Sequence, residues 1–293
     1  TPTEERIGSY RSRLRRIAEF VERAMLPDVI ALARAFPRYW DFGAGYGNML
    51  CYGGWDSSDA GPQPFAPGAI VAGKWEPLDK EAIAEHVGFS WFSSPTGLHP
   101  SHGETKADPK KADGYSWIKA PRYKGQPMEV GPAARILVNY RSPRPWPGRQ
   151  EVDDLLRRLG VGPEKLVSVL GRLTCRALET VLLARHATKW LDRIEPNGPP
   201  AQDFKRVKTG TGFGLVEAPR GALGHWLAIE GGTVQHYQCV VPTTWNCSPR
   251  DDAGQPGPLE KALEGLEVAD AEQPVEVGRV IRSFDPCLAC AVH

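Results

Sequence analysis

The chain has 293 residues, 41% of them hydrophobic, enough for one or two domains with a substantial core. Lys and Arg total 36 against 35 Asp and Glu, a formal charge of +1, so the strongly basic field of nucleic-acid-binding proteins is absent and no nucleic-acid partner is expected. No apolar run approaches the length of a membrane span, and the opening segment has no apolar signal-peptide core. We therefore expect no membrane span, and export would depend on a partner.

The first half of the chain is predicted to be helical and then loop-rich. Apolar residues at helical spacing predict a helix from Ile7 to about Arg38, kinked or restarted at Pro27. From 41 to 150, repeated Gly, Pro and Asp turns predict irregular structure with short strands such as Ala69 to Val71.

The second half contains the strongest periodic pattern. Residues 163–194 predict one helix, which would span about 48 Å at 1.5 Å per residue, within a helical core over 151–198. Alternating residues on both sides of Glu230-Gly231-Gly232 predict a hairpin, followed by a short helix near Pro258 and an apolar segment over 275–284. We predict one structural unit over 1–293, mainly α with a small antiparallel β component (α+β), in which 210–293 holds the hairpin and a metal-ligand segment.

Two cysteines close to the last residue carry the clearest chemical signal. Cys287 and Cys290 are three residues apart, a spacing that places both sulfurs on one side of a helical turn, and His293 follows three residues later. A redox disulfide needs a thioredoxin-like βαβ setting, and c-type haem attachment needs a histidine directly after the second cysteine. Neither is present in this sequence. A structural zinc site remains an alternative, and the residues alone do not identify the metal. The other four cysteines form no spaced run, so any iron–sulfur cluster is expected in another chain.

Two further segments and one carboxylate are candidates for the same chemistry. Arg220 lies between Pro219 and Gly221, where a stiffened backbone can aim its guanidinium at an anion or a polarised ligand, or place it as a scaffold ion pair. The segment 237–246 ends a strand at Pro-Thr-Thr, whose hydroxyls can bind a small ligand or simply terminate the strand. Asp285 either caps the turn before the cysteines or lies as an ionisable group beside a metal.

Taken together, these strings resemble the C-terminal half of the large subunit of uptake-type [NiFe]-hydrogenases. The segments FVERAMLPDVIALA, YSWIKAPRYKGQPMEVGPAAR, LETVLLARHATKWL, EAPRGALGHW, YQCVVPTTWN and RSFDPCLACAVH are similar to family segments and occur in family order. The resemblance runs from the first helix to the last residue. Since the precursors of that family are trimmed after this histidine, it also implies a mature chain and a fold of the long-helix bundle type.

The resemblance implies a nickel–iron centre held by four thiolates, with CO and cyanide on the iron. It implies that Cys287 is a terminal nickel thiolate that can take a proton, and that Cys290 bridges the two metals. His293 and the backbone carbonyl of Cys239 match ligands of a nearby Mg²⁺ or similar divalent ion. Arg220 matches the guanidine above the open metal position, and we expect it to have an electrostatic and orienting role. Asp285 matches the carboxylate that is hydrogen-bonded to that guanidine. The groups around the diatomic ligands match Pro242, Thr243, Arg220 and Leu223.

One part of the family pattern is missing from this sequence. The RxCGxC motif that supplies the first thiolate pair, and a glutamate implicated in proton transfer, do not occur here. The resemblance therefore implies a split or fragmented large subunit, with the RxCGxC half on a second polypeptide, together with an iron–sulfur small subunit and a membrane cytochrome. It also implies a location at the periplasmic side of the cytoplasmic membrane, reached by export with a partner, with a cytoplasmic location as the alternative.

The expected activity is reversible heterolytic oxidation of H2 to protons and electrons. The competing hypothesis is a non-catalytic zinc-binding or assembly module of related fold, in which Cys287, Cys290 and His293 hold zinc. A metal-free structural relative from a respiratory complex is a third hypothesis, against which the presence of both cysteines argues.

Overall fold

The computed structural model describes residues 1–54, 64–199, 201 and 204–291. Its N-terminal helices form part of the helical body. Helix α1 spans Glu4–Phe20 and α2 spans Leu26–Ala35, joined by a π-helical turn over Val21–Met25. The predicted restart at Pro27 is confirmed. Because proline lacks the N–H that would bond to the preceding turn, the backbone widens just before it.

The longest helix, α5, is shorter than the sequence predicts. It spans Val169–Leu191, about 35 Å at 1.5 Å per residue, whereas Pro163–Leu166 form a separate 3₁₀ turn. The Ser168 side chain accepts a hydrogen bond from the Gly171 amide at 2.9 Å, so this N-cap fixes the start of the helix after the 3₁₀ turn. Helices α1 and α2 pack against α5, as do α3 (Pro132–Arg141) and α8 (Val275–Ser283), which confirms a mainly helical body.

Helix α3, Pro132–Arg141, lies inside the segment 41–150. The prediction that this segment is irregular with short strands is therefore wrong here. The helix residues from Pro132 to Asn139 are all buried, and a helix buried on every face shows no amphipathic period by which a sequence pattern could reveal it. Helix α4, Arg149–Leu159, follows and ends at Gly160, whose left-handed φ of 70° terminates it. The main core cluster includes Met49, Ile136 and Leu178.

The β component consists of three small antiparallel sheets in the described residues, which confirms the small antiparallel component predicted. The first contains β1 (Met49–Cys51), β2 (Gly68–Val71) and β3 (Lys74–Glu76), and the second β4 (Ile83–His86) and β5 (Ala120–Tyr123). The third contains β6 (Gly210–Ala218), β7 (Gly221–Glu230) and β8 (Thr233–Val240). The β7–β8 hairpin with its turn at Gly231-Gly232 is confirmed. Strand β6 was not predicted, because three glycines within it weaken the strand pattern.

In the described residues, four short helices follow the third sheet and lead to the segment that carries Cys287 and Cys290, here called the tail. They are α6 (Pro242–Asn246), α7 (Pro258–Leu263), α8 (Val275–Ser283) and α9 (Leu288–Ala291). Helix α8 packs on α5 and α9 on α6, so the tail lies beside the end of strand β8. In the described part of the chain, no helix combines the length and hydrophobicity needed to cross a bilayer.

Candidate functional site

Arg220 lies at the tip of the tight turn between β6 and β7. Ala218 pairs with Gly221 across the two strands, which leaves only Pro219 and Arg220 in the loop. The φ of 131° at Gly221 lies where L side chains are rarely found. The turn therefore presents the guanidinium from a defined backbone, as its Pro-Arg-Gly sequence predicts.

The structure brings Arg220 and Asp285 together, 65 residues apart in sequence. Arg220 Nε donates to the main-chain oxygen of Asp285 at 2.7 Å, and Nη2 lies 3.3 Å from its Oδ1. The two side chains are 38% and 44% exposed, so the pair contributes less to stability than to orientation. Asp285 has a left-handed φ of 53°, which aspartate tolerates better than most residues. That conformation turns its carbonyl toward Arg220.

Cys287 lies directly before α9 and Cys290 lies within it, and their two thiols are in contact. The Cys290 amide donates to the carbonyl of Cys287 at 3.1 Å, and the contact with Cys290 lowers the pKa of the Cys287 thiol, with a further contribution from Arg220. Burial and the contact with Cys287 raise the pKa of Cys290 to about 11. Of the pair, Cys287 therefore ionises first. Two adjacent thiols beside a guanidinium are donors that soft metal ions prefer, so these residues fit one side of a nickel–iron centre.

Helix α6 anchors this tail. The amide of Cys287 donates to Thr243 Oγ1 at 3.1 Å, and both Pro242 and Thr243 are buried. Pro242 begins the helix, where its missing N–H would have no partner in any case. The Pro-Thr-Thr ending of strand β8 is thus placed directly against the first cysteine of the pair.

Leu223 and Cys239 lie on one face of the third sheet. Leu223 lies two residues before His225, which pairs with Cys239, and strand alternation puts all three on the same side. Both Leu223 and Cys239 are half-buried. Cys239 lies near the end of β8, directly before α6, and α6 packs on α9, so this face is close to the cysteine pair. His293 lies outside the described residues.

A cavity of about 240 Å³, lined by both apolar and polar side chains, lies beside Cys239. Its lining includes Glu85, Lys119, Gln238, Cys239 and Thr244. Gln238 Nε2 donates to Glu85 Oε2 at 2.7 Å, and Thr244 Oγ1 is buried without a hydrogen-bond partner in the described part of the chain. Burial raises the pKa of Glu85 to about 7, against the opposing effect of Lys119. A carboxylate and an unsatisfied hydroxyl beside the Cys239 backbone are oxygen donors suited to a hydrated Mg²⁺-type ion.

Sequence reasoning missed the charged network beneath the Arg220 turn. Arg135 of α3 is fully buried between Glu179 of α5 and Glu217 of β6. A signal was available, because Glu179 stands within the apolar period of α5 between Cys175 and Leu182. A charged residue at a core position indicates a buried partner.

In the described residues, no three His, Cys, Asp or Glu side chains converge as a set that could hold a metal ion. The cysteine pair, the guanidinium turn and the buried strand end together are typical of one side of a thiolate metal site. The chain belongs to the nickel-dependent hydrogenase family, whose model matches residues 1–293.

Curated relatives agree with this assignment. The chain is 39% identical to the periplasmic [NiFeSe] hydrogenase large subunit of Desulfomicrobium baculatum, covering 100% of this chain and 58% of that protein. It is 35% identical to the hydrogenase-1 large chain of Escherichia coli K12, covering 99% of this chain and 55% of that protein. The chain therefore spans somewhat more than half the length of these relatives.

Solved structures show the same fold. The reduced Ni-Fe-Se hydrogenase from D. vulgaris Hildenborough matches with a TM-score of 0.90 at 38% identity, covering 100% of this chain and 62% of that one. The H2-activated [NiFeSe]-hydrogenase of Dm. baculatum matches with a TM-score of 0.90 at 40% identity, covering 100% and 61%. These matches confirm the predicted family, the C-terminal position of the chain within it and the α+β fold.

Proposed function

We propose that this chain is the C-terminal portion of a hydrogenase large subunit that oxidises H2 reversibly to protons and electrons. The observation that carries the proposal is the convergence of the Cys287–Cys290 thiol pair with the Arg220–Asp285 pair in a chain of this family. A nickel–iron centre with CO and cyanide on the iron supplies the soft, electron-rich site for heterolytic cleavage of H2. The residues of this chain hold, orient and enclose that centre.

The cysteines have different proposed roles. Cys287 would hold the nickel as a terminal thiolate, and its Sγ is proposed to accept the proton released from H2. Cys290 is the bridging thiolate. The remaining two thiolates are proposed to come from the RxCGxC half of the large subunit, the part of the relatives that this chain does not span.

The guanidinium of Arg220 is proposed to stabilise and orient, while Asp285 fixes its direction through the 2.7 Å bond to its main-chain oxygen and the 3.3 Å contact with its carboxylate. A guanidinium is protonated at all ordinary pH values and is therefore a poor base. Pro242, Thr243 and Leu223 are proposed to surround the diatomic ligands and to exclude water. The carbonyl of Cys239 and the side chain of His293 are proposed to bind Mg²⁺ or a similar ion beside the cavity that Glu85 and Thr244 line.

Electrons are proposed to leave through an iron–sulfur small subunit and then a membrane cytochrome. We place the complex at the periplasmic side of the membrane, on the support of a relative named as a periplasmic hydrogenase large subunit. The co-purifying chains identify these partners directly.

The test is purification of the affinity-tagged chain with its natural partners, followed by an assay of H2-dependent dye reduction. We expect H2 uptake in the wild-type complex. Cys290→Ser is expected to lose both the bound nickel and the H2 uptake. The matched control is Cys175→Ser, since Cys175 is a buried thiol within α5 and its removal leaves nickel bound. Full uptake in Cys290→Ser would contradict the bridging role.

A further inference from the structure

The buried cation of α3 is held by carboxylates from two different elements. Arg135 Nε donates to Glu179 Oε1 at 2.5 Å, and Nη1 donates to Glu217 Oε2 at 2.6 Å. Glu217 Oε1 in turn accepts from the amide of Tyr52 at 2.7 Å. Burying a guanidinium and two carboxylates carries a large desolvation cost that apolar side chains would avoid, so stability alone does not explain this cluster.

The same guanidinium also holds the main chain that leads to Arg220. Arg135 Nη1 donates to the carbonyl of Ala218 at 3.0 Å, and Nη2 donates to the carbonyl of Pro219 at 2.9 Å. These are the two residues directly before Arg220. Because the donors of a guanidinium are fixed in one plane, both carbonyls are constrained together.

The N-terminal end of α3 supports the turn from a second direction. A Cβ at Gly131 would lie 2.9 Å from the Arg220 carbonyl oxygen, and a Cβ at Gly221 would lie 2.5 Å from the Gly131 nitrogen. Main chain therefore packs directly on main chain at both glycines. The turn that carries Arg220 is fixed to α3 by these backbone contacts and by Arg135.

We propose that Arg135, held by Glu179 and Glu217, is a positioning residue that fixes the guanidinium of Arg220 over the metal site. This inference rests on the proposed function and adds a residue to it. The Arg220 side chain is 38% exposed, and its partner Asp285 is partly exposed as well. These contacts alone do not fix the turn, which Arg135 holds on its buried side. Small displacements of a group beside reacting atoms have large effects on rate.

The test compares Arg135→Lys with Arg122→Lys in the purified complex. Arg122 is the matched control because it is also fully buried, donates to Asp251 at 2.7 Å and donates to the carbonyl of Gln255 at 3.0 Å. Among the described residues, its hydrogen-bond partners lie outside the Arg220 turn. Lysine keeps the charge in both variants and loses the planar set of donors, so both destabilise the fold.

Three quantities are measured: H2 turnover per bound nickel, the infrared bands of the diatomic ligands, and hydrogen exchange of the Arg220 and Gly221 amides. Arg135→Lys is expected to lower turnover per nickel about 10- to 100-fold, as loss of an outer support does at metal sites. It should also shift the infrared bands and accelerate exchange at the turn. Arg122→Lys is expected to leave all three unchanged despite its lower melting temperature.

Glu179→Gln serves as the milder variant should Arg135→Lys not fold, because it keeps the shape of the side chain while removing its charge. It is expected to change the same quantities in the same direction. Wild-type turnover and exchange in Glu179→Gln, or in a folded Arg135→Lys, would overturn the inference. If the wild-type complex shows no H2 turnover, the proposed function fails, and exchange at the turn still decides whether Arg135 fixes it.

Discussion

The buried carboxyl of Glu85 gives the chain a pH-dependent stability whose size follows from its surroundings. Glu85 is 3% exposed, and burial raises its pKa from 4.5 to about 7 although Lys119 and Gln238 oppose the rise. At 1.36 kcal/mol per pKa unit, this displacement corresponds to about 3 kcal/mol. Because the folded-state pKa is the higher one, the stabilisation is complete below pH 4.5 and is lost as pH rises through about 7.

The assay is urea unfolding at pH 5 and pH 8 in the presence of a chelator, for wild type and Glu85→Gln. Glutamine stays neutral at both pH values, so the variant should gain about 2 to 3 kcal/mol relative to wild type between pH 5 and pH 8. Glu81→Gln is the control, since that side chain is 73% exposed and keeps its hydration on folding. An equal pH dependence in wild type and Glu85→Gln would refute the reasoning.

Three further predictions concern the tail and the core. Thr243→Val removes the acceptor of the Cys287 amide and should accelerate hydrogen exchange of that amide roughly fivefold, the equivalent of about 1 kcal/mol; unchanged exchange would show that the bond does not anchor the tail. Asp285→Asn should change the free energy of unfolding by less than about 1 kcal/mol, because its ion pair is partly exposed, yet should lower H2 turnover per nickel, and equal turnover would remove its orienting role. Ile136→Ala, at a fully buried position, should lower the free energy of unfolding by about 2 to 5 kcal/mol in denaturant unfolding. Ile17→Ala, at a half-exposed position, should lower it by under about 0.5 kcal/mol. Similar losses in the two variants would contradict the assigned core.

Local patterns predicted those parts of the fold that depend on nearby residues. The break at Pro27 and the Gly231-Gly232 turn follow from backbone restrictions that act within a few residues. Helix α3 did not show in the pattern, because burial on all faces removes the period that distinguishes a surface helix. The start of α5 depends on the Ser168 cap. The apolar pattern continues across this position and therefore does not show where the helix begins.

Spacing alone predicted the candidate site only where its residues are close in sequence, whereas the pairing of Arg220 with Asp285 followed from the family resemblance. The spacing of Cys287 and Cys290 indicates a paired thiolate site, and the Pro-Arg-Gly turn indicates an aimed guanidinium. Arg135 supports that turn from 85 residues away along the chain, as the Arg135–Arg220 numbering shows. Tertiary packing creates this contact, so spacing could not reveal it.

The central claim is that Cys287 and Cys290 provide two of the thiolates of a nickel–iron centre completed by another polypeptide. Metal analysis of the natively purified complex, combined with its infrared spectrum, tests this claim most directly. A nickel–iron centre held in this way requires nickel and iron in equal amounts together with bands from CO and cyanide. Zinc alone, with no such bands, would contradict it and favour a non-catalytic zinc-binding module.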